Sequence, residues 1–211
     1  MPRYRKYPLF IQNRREKWFA DTINFIEARY MAILDRFVHT FRFLDFHPLN
    51  AHAFSYEYAS LFRDTGSCFS SVLDNILKNS DVKPMKGKNY TIRDFSRYLN
   101  KNVDDIRDIG ICLDVEYDQK YVYPFRNFGT DEVSAVWWNA YNNLKHNELN
   151  SMPAGCLSNL IYIFAALTII YDAVTKRNEH SSMFSIITQG LVGSIIDGTV
   201  PREEYHFPQA S

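Results

Sequence analysis

An all-α bundle of four to five helices, with a small β-hairpin-like insertion around residues 109–125, is the fold this 211-residue sequence predicts. Three observations carry that prediction. Apolar residues recur at three- and four-residue steps along three long stretches, the period of a helix with one buried face. A fourth stretch, Leu149 to Tyr171, holds no charged residue and is strongly apolar from Leu157 onward. Between the second and third helices the pattern changes to alternation, the period of a strand.

The first helix spans about residues 13–45, with Phe19, Ile23, Ile26, Tyr30, Ile33, Leu34, Phe37, Phe41 and Leu44 as its stripe and Pro48 as its break. The second spans about 50–79, striped by Phe54, Tyr58, Leu61, Phe62, Thr65, Phe69, Val72, Leu73 and Ile76. A polar loop from Asn79 to Asn89 follows, and Thr91 is placed to cap a short helix over 92–101. Ile111, Leu113, Val115 and Tyr117 then alternate with polar or small residues, Asp118-Gln119 stands as the turn, and Tyr121-Val122-Tyr123 returns as a second strand. A third long helix runs from Thr130 or Asp131 to about Asn147 and is ended by Ser151-Met152-Pro153. The fourth, about 154–176, is apolar nearly all round and belongs in the middle of the bundle. As a membrane span it fails: Pro153, Gly155, Ser158 and Asn159 leave a solid apolar run only from Leu160 to Tyr171, short of the roughly 20 residues a bilayer needs. Residues 181–200 read as a short apolar helix interrupted by Gly190 and Gly193, and 201–211 as a loose tail after a single domain over 1–200.

Composition narrows the function classes. With 46% hydrophobic and 16% aromatic residues, the chain has enough apolar surface to offset the entropy of ordering, so disorder is excluded for most of it. Lys+Arg 24 balance Asp+Glu 24, which excludes a polyanion binder carried by bulk charge and leaves only local sites. Charge is unevenly placed: residues 1–20 are basic (Arg3, Arg5, Lys6, Arg14, Arg15, Lys17) and 103–118 acidic (Asp104, Asp105, Asp108, Asp114, Glu116, Asp118). Two solvated faces account for this, or a basic arm for RNA or a partner. Cys68, Cys112 and Cys156 are too far apart for a zinc site or a disulfide framework and read as reduced thiols of a cytoplasmic protein. The Met1–Phe10 segment lacks the apolar run of a signal peptide.

No Gly-rich phosphate loop, Gly-x-Ser-x-Gly elbow or His-Glu-x-x-His pattern occurs, and His47 and His52 flank Pro48 in poor geometry for a metal. Neither a metal nor a cofactor is expected. One stretch gathers chemistry: Trp137-Trp138-Asn139-Ala140-Tyr141-Asn142-Asn143-Leu144-Lys145-His146-Asn147. Asn139, Asn142, Asn143 and His146 share one side of the helix, and Tyr141 and Lys145 are one turn apart. A histidine there can act as acid or base near neutral pH, and a nearby cation can hold a phosphate. The same residues also suit a helix C-terminus with no ligand, since Lys and His offset its negative pole and Tyr141 lies on the apolar stripe.

From Pro124-Phe125 through Trp137-Trp138, Tyr141-Asn142 and Lys145-His146 into the apolar helix, the chain resembles a group of uncharacterised bacterial proteins and is similar to the HEPN superfamily (higher eukaryote and prokaryote nucleotide-binding). Those proteins are all-α bundles, usually dimeric, and many are metal-independent endoribonucleases of defence and toxin–antitoxin systems. Their motif is an Arg, a polar residue that is often Asn, and a His a few residues on, at the junction of the third and fourth long helices. Asn142 and His146 match its register, and Tyr141 stands where the family has Arg. The resemblance implies RNA or a nucleotide as ligand, a homodimer, an antitoxin or defence-system partner, and no membrane. It implies that His146 moves a proton, that Lys145 and Asn142 orient a phosphate, and that Tyr141 stacks or hydrogen bonds. Asn139 and Asn143 would contact substrate. Glu57, Arg63 and Asp64 of the second helix form either a facing wall whose carboxylates pair with His146 or Lys145, or solvated charges on a helix flank. The alternative is a non-catalytic HEPN-like module that binds RNA, a nucleotide or a protein. A third reading is a plain structural bundle.

Overall fold

A computed structural model describes residues 17–40, 43–44, 47–103, 106–115, 118–128, 135–175 and 194–196. The basic arm, the proposed tail and most of 181–200 lie outside them. Helices dominate: α1 (Lys17–Thr40), α2 (Tyr56–Asn79), α3 (Ile92–Asn102), α4 (Val136–His146), the single turn α5 (Glu148–Ser151) and α6 (Leu157–Thr175). This is the expected all-α bundle with a minor β element.

Helix α6 is the axis. It packs against α1, α2 and α4, and every residue from Leu157 to Ile170 is buried. Its one window apolar enough to cross a membrane, Leu157–Val174, is 89% buried by the rest of the chain, so protein covers that surface. Aromatic side chains fasten α1 to it: Phe37 stacks on Phe164 at 4.0 Å between centroids and Tyr30 on Tyr171 at 4.1 Å, while the Tyr30 hydroxyl shares a 3.0 Å hydrogen bond with Thr168. Burial pushes the Tyr30 phenol far up, so it stays neutral.

The end of α1 and the starts of α2 and α6 differ from the sequence reading, each for a local reason. Helix α1 ends at Thr40, whose hydroxyl donates to the Phe37 carbonyl at 2.7 Å; Phe43 and Leu44 already turn away. Helix α2 begins at Tyr56, not near 50, with Ser55 Oγ accepting from the Tyr58 N–H. Residues 51–54 are needed elsewhere: the Ala53 and Ala51 carbonyls accept from the Leu157 and Ser158 N–H groups at 2.9 and 3.0 Å. They thereby satisfy donors that every helix start leaves without an intrahelical partner. Helix α6 starts at Leu157 because Met152–Ala154 form a tight 3-10 turn and Gly155 lies against Ala59, where a Cβ would come within 2.5 Å of the Ala59 Cα.

The hairpin is present as β1 (Gly110–Val115) and β2 (Asp118–Val122), antiparallel, with Ile111 opposite Val122 and Val115 opposite Asp118. Asp118 and Gln119, expected as the turn, are strand residues instead. The stretch expected as a last apolar helix contributes a strand, β3 (Ser194–Ile196), on the other edge of β1. Two successive β-branched isoleucines and an open strand edge favour that outcome over helix.

Helix α3 is fixed by a capping box. The Asp94 carboxylate accepts from the Thr91 N–H, the Thr91 hydroxyl and the Met85 N–H, each at 2.8 Å. Burial pushes this carboxyl up, but the hydrogen bonds from Thr91 and Met85 and the charge of Arg97 outweigh it and hold it below the usual carboxylate range. A depressed carboxylate contributes stability above its unfolded pKa of about 4, and that contribution is lost as pH falls through the lower folded value. Asp94→Ala is therefore expected to lower the unfolding free energy by about 1–2 kcal/mol at neutral pH. Urea titrations of both proteins check this, and the gap between them should close as pH drops below about 4.

Candidate functional site

Helix α4 is positioned by aromatic packing on its inner side. Trp137 donates its indole N–H to the Pro124 carbonyl at 2.9 Å and stacks on Phe128 at 6.0 Å, with the rings 4° from parallel. Trp137 and Trp138 both meet Phe69 of α2, and Trp138 meets Phe95 of α3 edge-on. Leu144 and Ala140 complete the buried side. The sequence from Pro124 onward thus fixes which face of α4 looks out. The helix begins at Val136, later than expected; Thr130 and Asp131 lie outside the described residues.

The outward face carries Asn139, Asn143 and His146, all exposed, and Asn142, half-buried. Among the described residues, the side chains of Asn142, Asn143 and His146 have no hydrogen-bond or ion-pair partner. Lys145 is exposed on the flank toward α2, its ammonium 5.7 Å from the centroid of the Tyr141 ring. It also acts on Asp74 of α2. Burial pushes that carboxyl up, and the charges of Lys78, 3.9 Å away, and Lys145 work against the rise. The four residues Asn139, Asn142, Asn143 and His146 therefore come together as the helical repeat requires, with an ammonium beside them.

Tyr141 does not join that face. It is 2% exposed, wedged against Gly66 of α2, edge-on to Phe62 and tilted on Trp138. Burial pushes its phenol up. Its role is to form the wall of α4 and the platform under Lys145, which corrects the expectation of a substrate-stacking ring.

The facing wall also differs from expectation. Glu57 and Asp64 bind Arg36 of α1: Arg36 donates to Glu57 Oε1 at 3.0 Å, to Asp64 Oδ2 at 2.6 Å and to Ser60 Oγ at 3.1 Å. The carboxylates expected to pair with His146 or Lys145 thus tie α1 to α2 instead. Burial works against the Arg36 charge, and the hydrogen bonds to Asp64 and Glu57 overcome it and hold the proton more firmly than usual. Arg63, beside Asp64, is half-buried. Sequence reasoning missed Arg36, which sits 21 and 28 residues from its two partners on another helix, out of reach of any local pattern.

A cleft of about 630 Å³ opens at the far end of α1 and the start of α2, lined by His39, Phe43, Leu44, Phe54, Glu57 and Tyr58 among others; it includes no residue of α4. His47 Nδ1 accepts from the Leu49 N–H, a turn-capping role, and His52 is exposed. Cys68 and Cys156 are free, buried thiols; burial pushes Cys68 up to about 11, which keeps it protonated and unreactive near neutral pH.

No known protein family, curated protein or solved structure matches the chain.

Proposed function

We propose that the protein is an RNA-binding, metal-independent endoribonuclease of HEPN type that works as a homodimer in the cytoplasm, within a bacterial defence or toxin–antitoxin system. The observation that carries this reading is the outward face of α4. There an exposed imidazole, His146, stands one turn from the carboxamide of Asn142, both without a partner among the described residues, and Lys145 is exposed beside them. RNA offers its own nucleophile. When His146 accepts the proton of a ribose 2′-hydroxyl, the 2′-oxygen attacks the adjacent phosphorus and the bond to the 5′-oxygen breaks. The products are a 2′,3′-cyclic phosphate and a 5′-hydroxyl, the latter after a proton reaches the leaving oxygen. Lys145 and Asn142 hold the phosphate oxygens through this step, and Asn139 and Asn143 contact bases or sugar. One imidazole cannot give and take a proton at once. A second copy, with its own His146 across the strand, would supply the other transfer.

A specific observation also favours the binding-module reading. Tyr141, where the HEPN motif has Arg, is buried against Gly66, so that position offers no cation to a phosphate. Incubating the protein with single-stranded RNA in the presence of a chelator, then analysing the RNA ends, tests the choice. Fragments with cyclic-phosphate and 5′-hydroxyl ends are the expected result. Bound but intact RNA would leave only the module.

A further inference from the structure

The stretch from Lys83 to Lys101 carries six exposed cations, Lys83, Lys86, Lys88, Arg93, Arg97 and Lys101, in a chain whose formal net charge is zero. Its one carboxylate, Asp94, is buried and turned onto Thr91 and Met85. No ion pair engages any of the six among the described residues. Their placement is ordered. Arg93, Arg97 and Lys101 lie four residues apart, a single stripe along α3 rising about 6 Å per step. The loop before α3 is held down by Asp94, which accepts from the Met85 N–H, and by the Tyr90 hydroxyl, which donates to the Val82 carbonyl at 2.5 Å. Lys83, Lys86 and Lys88 are therefore carried beside the start of α3.

Helix α3 packs against α4, and the end of the loop shares a neighbour with Lys145. Phe95, on the buried side of α3, packs edge-on against Trp138 of α4 at 6.1 Å. Tyr90, at the end of the loop, is within the electrostatic reach of Asp74, and so is Lys145.

We propose that the loop cations and the Arg93–Arg97–Lys101 stripe form a track for the phosphate backbone of single-stranded RNA, leading it to Lys145 and His146. The inference rests on the reading of α4 as an RNA site and names the path of its substrate. Six cations against the single buried carboxylate of Asp94 repel one another, and a polyanion relieves that repulsion while releasing its own counterions. A linear row of cations suits a strand. A lipid surface also calls for an apolar face, and the apolar side of α3 (Phe95, Tyr98, Leu99) is buried in the core.

Fluorescence anisotropy with a labelled single-stranded RNA oligonucleotide tests the track, using the wild type, K83E/K86E/K88E and R93E/R97E/K101E. Each triple reversal is expected to weaken binding at least about tenfold at low salt and to flatten the salt dependence by about two units of slope. The corresponding Lys→Gln and Arg→Gln sets, with unchanged thermal midpoints, separate lost charge from lost fold and should weaken binding by a smaller factor. Triple variants that bind with wild-type affinity and slope overturn the track, and so does a wild type that binds phosphatidylserine vesicles but no RNA. If the wild type binds RNA through these cations but cuts none, the track stands and the nuclease reading fails.

Discussion

Gly66→Val should lower the unfolding free energy by about 3 kcal/mol or more, because the base of the site is packed around its missing side chain. In an ordinary helix interior glycine is a liability of about 1 kcal/mol relative to alanine. Here it is required, because a Cβ at 66 would overlap three atoms of the Tyr141 ring. Neither side has room to yield: Gly66 is mid-helix in α2, and the ring is bounded by Phe62 and Trp138. Tyr141→Ala alone should cost about 3–5 kcal/mol through the cavity it leaves. Combining the two substitutions relieves the overlap, so the double variant should be more stable than the sum of the singles implies, by more than about 1 kcal/mol. Urea unfolding of all four proteins gives that coupling. Strict additivity would mean that Gly66 and Tyr141 do not press on each other.

His146→Ala should reduce RNA cleavage by about 10²–10⁴-fold, the range for losing a positioned acid or base. It should leave stability within about 0.5 kcal/mol, since the imidazole is exposed and has no partner among the described residues. That pairing of a large kinetic loss with a negligible stability change separates a catalytic residue from a structural helix end. Tyr141→Phe is the matching control. If Tyr141 acts as a wall, the ring matters and the hydroxyl does not, so cleavage and stability should both persist. Loss of cleavage in Tyr141→Phe comparable to that in His146→Ala would show that the phenol touches RNA.

Much of the fold was legible because burial here follows the helical period. Ile26, Tyr30, Ile33, Leu34 and Phe37 were expected on one face of α1 and are buried there, and the uncharged α6 lies at the centre. Failures came where one segment serves another. Residues 51–54 carry part of a helical stripe but act as acceptors for the start of α6, a demand set more than 100 positions away in sequence. Ser194–Ile196 becomes a strand because β1 offers an edge, which no local window contains. For the candidate site, the shared face of Asn139, Asn142, Asn143 and His146 follows from spacing alone. The inward turn of Tyr141 depends on the gap at Gly66, and the capture of Glu57 and Asp64 depends on Arg36; both are tertiary facts. The cations from Lys83 to Lys101 passed as a polar loop and a short helix, because no local window contains the Phe95–Trp138 contact that packs α3 on α4.

The most direct test of the account is an NMR titration of isotopically labelled protein with a single-stranded RNA oligonucleotide, following backbone amides and histidine ring signals together. The largest shifts should fall on Asn139, Asn142, Asn143, Lys145 and the His146 ring, with a second set along Arg93, Arg97 and Lys101. Shifts confined to the cleft around His39, Phe43 and Phe54, with the α4 signals unmoved, would contradict it.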